Sequence, residues 1–431
     1  MTATANMTAP SLQQLAPHIA ARVKEGDLAS TQMGLLGVGI ALIGAAWATG
    51  GQGFFFAYLV GYMGVLGICL GALFFTMVQH ITRAGWSPVV RRLTENTMWT
   101  LPLMLLLFVP ILGGFDTLYG HWAHPNPQDL VLTNKSVWLN KSFFLFRAAV
   151  YFAIWIGLAW YFRSNSIKQD ESGDPAISLK LSRRAAPGIL LLALSVTFAA
   201  FDWIMSMDPH WFSTIFGVTY FAGAQMAFLA FTILLAKWLG KKGYLQAAIT
   251  VEHYHDLGKL LFTFMVFWTY VNFSQYMLIW YANMPEETHW YLARAVNGWG
   301  AVGTILVFGH FFIPFAFLMS RHIKRNSVTL SAGAIFLLII HCIDMQFLIL
   351  PNATAAHGAE GAEGHAATEI STASFSQQLG DYVHHVRWID FGCFAGILCL
   401  VAGMALMNLR KANLVPIRDP RLAESLHFLN H

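Results

Sequence analysis

Three sets of residues in this sequence are of types that handle protons, and each lies within an otherwise apolar run. The first is Glu252, His255, Lys259, Thr263 and Tyr270. At about 100° per residue they fall within roughly a quarter turn of one helix face. They run from one end of an apolar segment toward its middle, which suits a half-channel for proton uptake. The plainer alternative is that Glu252, His255 and Asp256 are wetted at a membrane surface and Lys259 snorkels toward them. The second set is His341 with Asp344, whose spacing of three shares a helical face. A charge at the bilayer centre costs roughly 2.5–3.5 kcal/mol on insertion scales. A neighbouring imidazole, which titrates near neutral pH, lowers that by sharing a proton or a hydrogen bond. A structural pair that locks two helices is the competing reading. The third is Asp202, on one face with Ser195 and Ser206. Together they outline a route inward along Glu252, His255, Lys259 and Tyr270, and outward by His341, Asp344 and Asp202.

Other polar residues read as structural. Asp116, Asp202 and Asp390 fall at similar depth, and Arg147 and Arg294 at matching helix ends. Ion pairs among them are expected, Asp116 with Arg147 first. His310, followed by Pro314, reads as a satisfied core histidine. Gln225, Asn272 and Gln275 read as interhelical glue. The cysteines Cys69, Cys342, Cys393 and Cys399 form no C-x-x-C spacing, so haem attachment and iron–sulfur ligation gain no support. No catalytic residue and no metal ligand is singled out.

The elements that must position these groups follow from composition. The chain has 431 residues, 56% hydrophobic and 11% charged, against about 25% charged in soluble domains. Mean hydropathy is +0.53. This is the composition of an all-α integral membrane protein, not of a soluble domain or a nucleic-acid binder. Ten spans near the ~20 residues a bilayer needs are predicted at 33–49, 54–80, 98–115, 142–162, 187–206, 211–238, 256–281, 290–320, 328–350 and 388–409. The stretch 201–214 is then an antiparallel turn at the centre of the chain. Asp208-Pro209 supplies the reversal, and Trp203 and Trp211 flank it as aromatics do at a membrane surface. Gly61, Gly64, Gly67 and Gly71 in the second span lie on or near one face and admit a close helix. Pro102 and Pro110 predict a kinked or interrupted third span. Phe115-Asp116 and the following His121-Trp122-Ala123-His124-Pro125 echo the 201–211 stretch, hinting at a repeat. Spans 2–5 and 6–9 then form two four-helix bundles flanked by spans 1 and 10.

The organisation is an N-terminal segment 1–32, a first span and turn 33–53, bundles 54–208 and 209–350, a loop 351–387, the last span 388–409 and a tail 410–431. Within the loop, 353–368 is low in complexity, and His357 and His365 there read as part of a solvated spacer rather than as metal ligands. Lys and Arg concentrate at the two ends and in the even loops, which places both termini in the cytoplasm and the 201–214 turn outside. No apolar run follows Met1, so no cleavable signal peptide is expected.

Two motifs then carry a resemblance. Asp202-Trp203-Ile204-Met205-Ser206-Met207-Asp208-Pro209-His210-Trp211-Phe212-Ser213-Thr214, followed by Phe216-Gly217, resembles the hairpin of the second large membrane subunit (ActF) of bacterial alternative complex III. The tail Asp419-Pro420-Arg421-Leu422 with Glu424-Ser425-Leu426 is similar to that subunit's ending. The subunit belongs to the NrfD-like (polysulfide reductase membrane-anchor) superfamily. The resemblance implies a non-haem subunit of a quinol:cytochrome c (or high-potential carrier) oxidoreductase in the bacterial inner membrane. It implies partners: a sister membrane subunit, an iron–sulfur subunit, c-type cytochromes, membrane lipid and a terminal oxidase. Haems and iron–sulfur clusters would sit in those partners, and no cofactor in this chain. Scaffolding with proton conduction is the leading expectation. A quinone site near the periplasmic face, built from Asp202, Trp203, Trp211 and His341, is a second. An independent secondary transporter is a third.

Overall fold

The computed structural model describes residues 23, 26–353 and 373–430. Of the 353–368 segment only Ala353 is among them, so His357 and His365 lie outside the described residues, as do Arg22 and Lys24. The described chain is helical and contains no strand. Nine of its helices are long and apolar enough to cross a membrane, the signature of an all-α, multi-pass membrane protein.

In chain order, α1 spans Ala29–Gly50 and α2 Gly53–Ile81. A segmented run follows as α3 Pro88–Met98, α4 Leu101–Leu106, α5 Val109–Gly113 and α6 Phe115–Ala123. The short α7 Leu130–Lys135 leads to α8 Lys141–Ser172 and α9 Pro175–Trp203. Then come α10 Phe216–Lys241, α11 Val251–Ala282 and α12 Pro285–Ala293. A broken helix comprises α13 Trp299–Leu306, a π-helical turn Val307–Phe312 and α14 Ile313–Met319. The chain closes with α15 Arg321–Arg325, α16 Ser327–Ile349, α17 Phe375–His385, α18 Trp388–Leu409 and α19 Leu422–Leu426.

The core is centred on α2 rather than on the 201–214 turn. Of its most apolar window 94% is buried, and α3, α9, α10, α16 and α18 pack on it. Its glycines make this possible, but they serve two helices, not one. A side chain at Gly61 would stand 2.7 Å from the Cys393–Phe394 backbone of α18, and one at Gly71 2.6 Å from Phe228 of α10. Gly64 likewise faces Phe394, and Gly67 faces Ala224. Small residues thus let α18 close on the first half of this side of α2 and α10 on the second half.

Several boundaries move. The third span begins at Pro88, not 98, so Arg91, Arg92 and Glu95 lie within a buried helix instead of a loop. Its interruptions fall at Trp99–Thr100, Leu107–Phe108 and Gly114. Each break is one residue before Leu101-Pro102 or Val109-Pro110, or at a glycine, because proline cannot continue the helical ladder behind it. Helix α9 starts at Pro175, twelve residues before Pro187, which it accommodates internally. Helix α10 starts at Phe216, so residues 204–215 form a longer turn than the near-loopless hairpin expected. Helix α11, with 32 residues, is not among the nine.

Candidate functional site

The groups that meet in the interior are on α10, α11, α16 and the π turn. Asp344 on α16 is 3% exposed and accepts from the Trp268 indole of α11 at 3.1 Å. It lies about 8 Å along the axis from the end of α16. His341, one turn away and fully buried, directs Nε2 to the Gly64 carbonyl of α2 at 3.3 Å. Its Nδ1 has no partner among the described residues. The shared face is as the spacing predicts, but the two side chains form no direct pair. Each is taken by a different neighbouring helix, the indole on one side and a glycine carbonyl on the other. They converge instead on Gly223 of α10. A Cβ there would stand 3.4 Å from Asp344 Oδ2, 3.4 Å from Trp268 and 3.5 Å from His341 Nδ1. The absent side chain leaves these polar atoms facing one another's space.

His310 completes the group. It is fully buried, its ring centroid is 3.6 Å from that of Trp268, and its Nε2 lies 3.0 Å from Met226 Sδ. Its Nδ1 has no partner among the described residues. Sequence alone assigned it to the core; the signal that could have found it was Pro314. A proline removes the N–H that would bond the residue 310 carbonyl, and the helix answers with a π turn containing His310. Such turns recur at functional sites. Asp344 has no cationic partner within ion-pair distance among the described residues, an unusual state for a buried carboxyl.

The remaining predicted residues do not join this cluster. Asp202 on α9 is 1% exposed and held by Arg147 Nε at 2.7 Å, Arg147 Nη2 at 2.8 Å, Tyr151 Oη at 2.7 Å and Trp138 Nε1 at 3.0 Å. Arg147 therefore pairs with Asp202, not with Asp116, which is exposed and faces His124 at 3.4 Å. The α8–α9 contact brings Arg147 and Asp202 together, whereas Asp116 points off α6 to the surface. Among the described residues Arg294 forms no ion pair with a carboxylate. It donates to the Phe347, Leu348 and Trp290 carbonyls, capping the end of α16.

Lys259, Thr263 and Tyr270 of the α11 stripe are exposed, away from the core, while His255 is buried. Lys259 is surface-exposed, paired with Asp256 and donating to Asn430 at 2.9 Å. Thr263 bonds back to the Lys259 carbonyl, and Tyr270 is 65% exposed. Glu252 pairs with Arg325 at 2.7 Å, and that hydrogen bond holds its carboxyl below the usual range. His255 is buried, with Nδ1 unpartnered among the described residues. The buried face of α11 carries Leu261, Met265, Trp268, Val271 and Gln275 instead. Trp203 and Trp211 are both buried in ring packing. Trp203 lies against Phe108 and Phe152, and Trp211 stacks on Trp290 at 4.6 Å. Asp202, Trp203, Trp211 and His341 therefore share no common contact.

At the 201–214 turn two imidazole–carboxylate bonds clamp the chain. His289 of α12 meets Asp208 at 3.1 Å, and His210 meets Asp129 at 2.6 Å. Lys135 adds a bond to the Pro209 carbonyl at 2.6 Å. The Asp208 hydrogen bond raises the His289 pKa above 6.5 against the effect of burial. Burial pushes Asp208 up, but His289 outweighs it and the carboxyl stays below 3.8. Asp129 is lowered by the Leu132 N–H and then by His210.

No group of three or more His, Cys, Asp or Glu residues among the described residues is placed to hold a metal ion. No protein-family model matches the chain, and no curated protein matches it.

Proposed function

We propose that this chain is a non-haem membrane subunit of a quinol-oxidising respiratory complex of the alternative complex III type, and that it holds an intramembrane proton-handling site. The observation that carries the proton role is the cluster of Asp344, His341 and His310 around Trp268. It is a buried carboxyl with two imidazoles and, among the described residues, no counter-cation, in a chain whose described part holds nine apolar helices. A charge so placed is costly, and ionisable groups within membrane segments usually mark ion or proton routes. Imidazole suits such a relay because it exchanges protons near neutral pH.

In this reading α11 is a tenth span, and α2–α9 and α10–α16 are the two bundles, flanked by α1 and α18. The packing of α2 with α3 and α9, and of α10 with α11 and α16, supports that layout. The complex would lie in the bacterial inner membrane with both termini cytoplasmic. Electron carriers would sit in the sister, iron–sulfur and c-type cytochrome subunits. The outward stripe of Glu252, Lys259 and Tyr270 would need a neighbouring subunit to cover it before it could carry protons.

The test is Asp344→Asn in the assembled complex. Yield and haem content should match wild type, while proton translocation per electron falls at least about tenfold, on the scale of a lost proton-transfer group. An assembled variant with unchanged stoichiometry removes the proton role. Purification of an active chain without haem-bearing partners would remove the respiratory-complex reading and favour a transporter.

A further inference from the structure

A cavity of about 170 Å3 opens where the end of α2, the start of α3, the first turn of α9 and the C-terminal tail meet. That is smaller than the roughly 300–1,000 Å3 of pockets for drug-sized ligands. Its wall holds three arginines, Arg83, Arg91 and Arg421, and one carboxylate, Asp419. Two of the arginines are already engaged. Arg91 pairs with Asp419 and approaches Glu95 at 3.5 Å. Arg421 donates from Nε to Glu424 at 3.0 Å. The Arg83 side chain makes no ion pair or hydrogen bond among the described residues, so one positive charge is left uncompensated at the cavity.

Behind the arginines, His80 and Gln79 form part of the wall; both are buried, and His80 Nε2 and Gln79 Oε1 are closed off from solvent and without partners among the described residues. The backbone adds an independent sign. Ala84 N–H bonds the Gln79 carbonyl and Arg83 N–H the His80 carbonyl, closing α2 with Arg83 at φ +48°. Glycine is the usual residue at that left-handed position, and an arginine there is strained. The strained residue is the one that brings the free guanidinium to the cavity.

We propose that this cavity binds the phosphate of an anionic phospholipid headgroup. Arg83, exposed at the cavity, supplies both the charge and a fork of N–H donors for the phosphate oxygens. Free phosphate shares this chemistry. The exposed Leu179 on the rim, beside the membrane-spanning part of α9, favours a lipid, whose acyl chains it can cover.

The experiment uses the full chain with its native partners, exchanged into nanodiscs of phosphatidylglycerol and phosphatidylcholine, with retained lipid counted by native mass spectrometry. Wild type should retain phosphatidylglycerol preferentially, and Arg83→Gln should weaken that preference about fivefold, the scale of one arginine at a membrane surface. Arg83→Lys should keep most of it. Arg83→Gly relieves the left-handed backbone and so should fold at least as well as wild type while losing the lipid, which separates binding from folding. Arg183→Gln, outside the cavity, should change nothing. Protection by inorganic phosphate with no preference between the two lipids would keep the anion site and assign it to free phosphate. Equal phosphatidylglycerol retention in wild type, Arg83→Gln and Arg83→Gly, or an equal loss in Arg183→Gln, overturns the proposal.

Discussion

Asp202 and Asp344 are buried to nearly the same degree, 1% and 3% exposed, on the long apolar helices α9 and α16. Asp202 accepts from a guanidinium twice, a phenol and an indole. Asp344 accepts from one indole. The same contrast holds around them. Near α3, Arg92 is shared by Glu95 at 2.9 Å and Asp170 at 2.5 Å, and Arg91 reaches Asp419. Near α16, His341 and His310 each keep a ring nitrogen without a partner among the described residues. The first region neutralises each buried charge with an opposite one, so its ionisable groups act as rivets. The second holds ionisable groups without an opposite charge beside them among the described residues. Burial alone, then, does not distinguish Asp202 from Asp344; the number of charged partners does, and on that difference rests the proton role proposed for Asp344.

The largest effect expected from breaking this contrast is on the saturated side. Arg147→Leu strands Asp202 as an unpaired buried charge, which destabilises by about 3–5 kcal/mol. The Arg147→Leu/Asp202→Leu double variant should recover most of it. Thermal denaturation in detergent reads both, and a double variant no better than the single would show that packing, not charge, holds α8 to α9. On the other side, Asp344→Asn should stay within about 1 kcal/mol of wild type in the same assay, since an amide oxygen still accepts from Trp268. A loss as large as that of Arg147→Leu would place Asp344 among the rivets.

A smaller effect belongs to the outer clamp, where ionised pairs meet water. Asp208 titrates below 3.8, so its contribution is present above that pH and lost as pH falls through its lowered pKa. His289 titrates above 6.5, so its contribution is full below that pH and lost as pH rises through the raised value. The pair is therefore strongest between about pH 4 and 6.5, and partial exposure limits it to about 1 kcal/mol. Stability should be higher near pH 5.5 than near pH 8.5, and Asp208→Asn should abolish the part of that difference due to this pair. Hydrogen exchange at α12 localises it. Least affected should be Tyr270→Phe, within about 0.5 kcal/mol, because the ring lies on the outer face of α11. A loss of assembly with partners in that variant would instead mark the stripe as a covered interface.

Much of the architecture was legible from composition. Nine of the apolar runs are long apolar helices among the described residues, because only a helix satisfies its own backbone in lipid. The last span, 388–409, coincides with α18 to the residue. The third span was misjudged because Arg91, Arg92 and Glu95 look like loop residues until Asp170 and Asp419 arrive from elsewhere in the chain to neutralise them. Within the site, the shared face of His341 and Asp344 was readable from their spacing. That they would not bond each other was not.

The sequence by itself determined that the apolar segments are helical and that Pro102 and Pro110 interrupt the third of them. These follow from local periodicity and backbone chemistry. Only the tertiary structure decided that α2 is the core, that Arg147 chooses Asp202 over Asp116, that Lys259, Thr263 and Tyr270 of the α11 stripe are exposed, and that His310 joins Asp344. The reason is that pairing energies depend on contacts across as many as 378 positions of chain, as between Gln32 and Arg410, and no local pattern encodes which distant partner arrives.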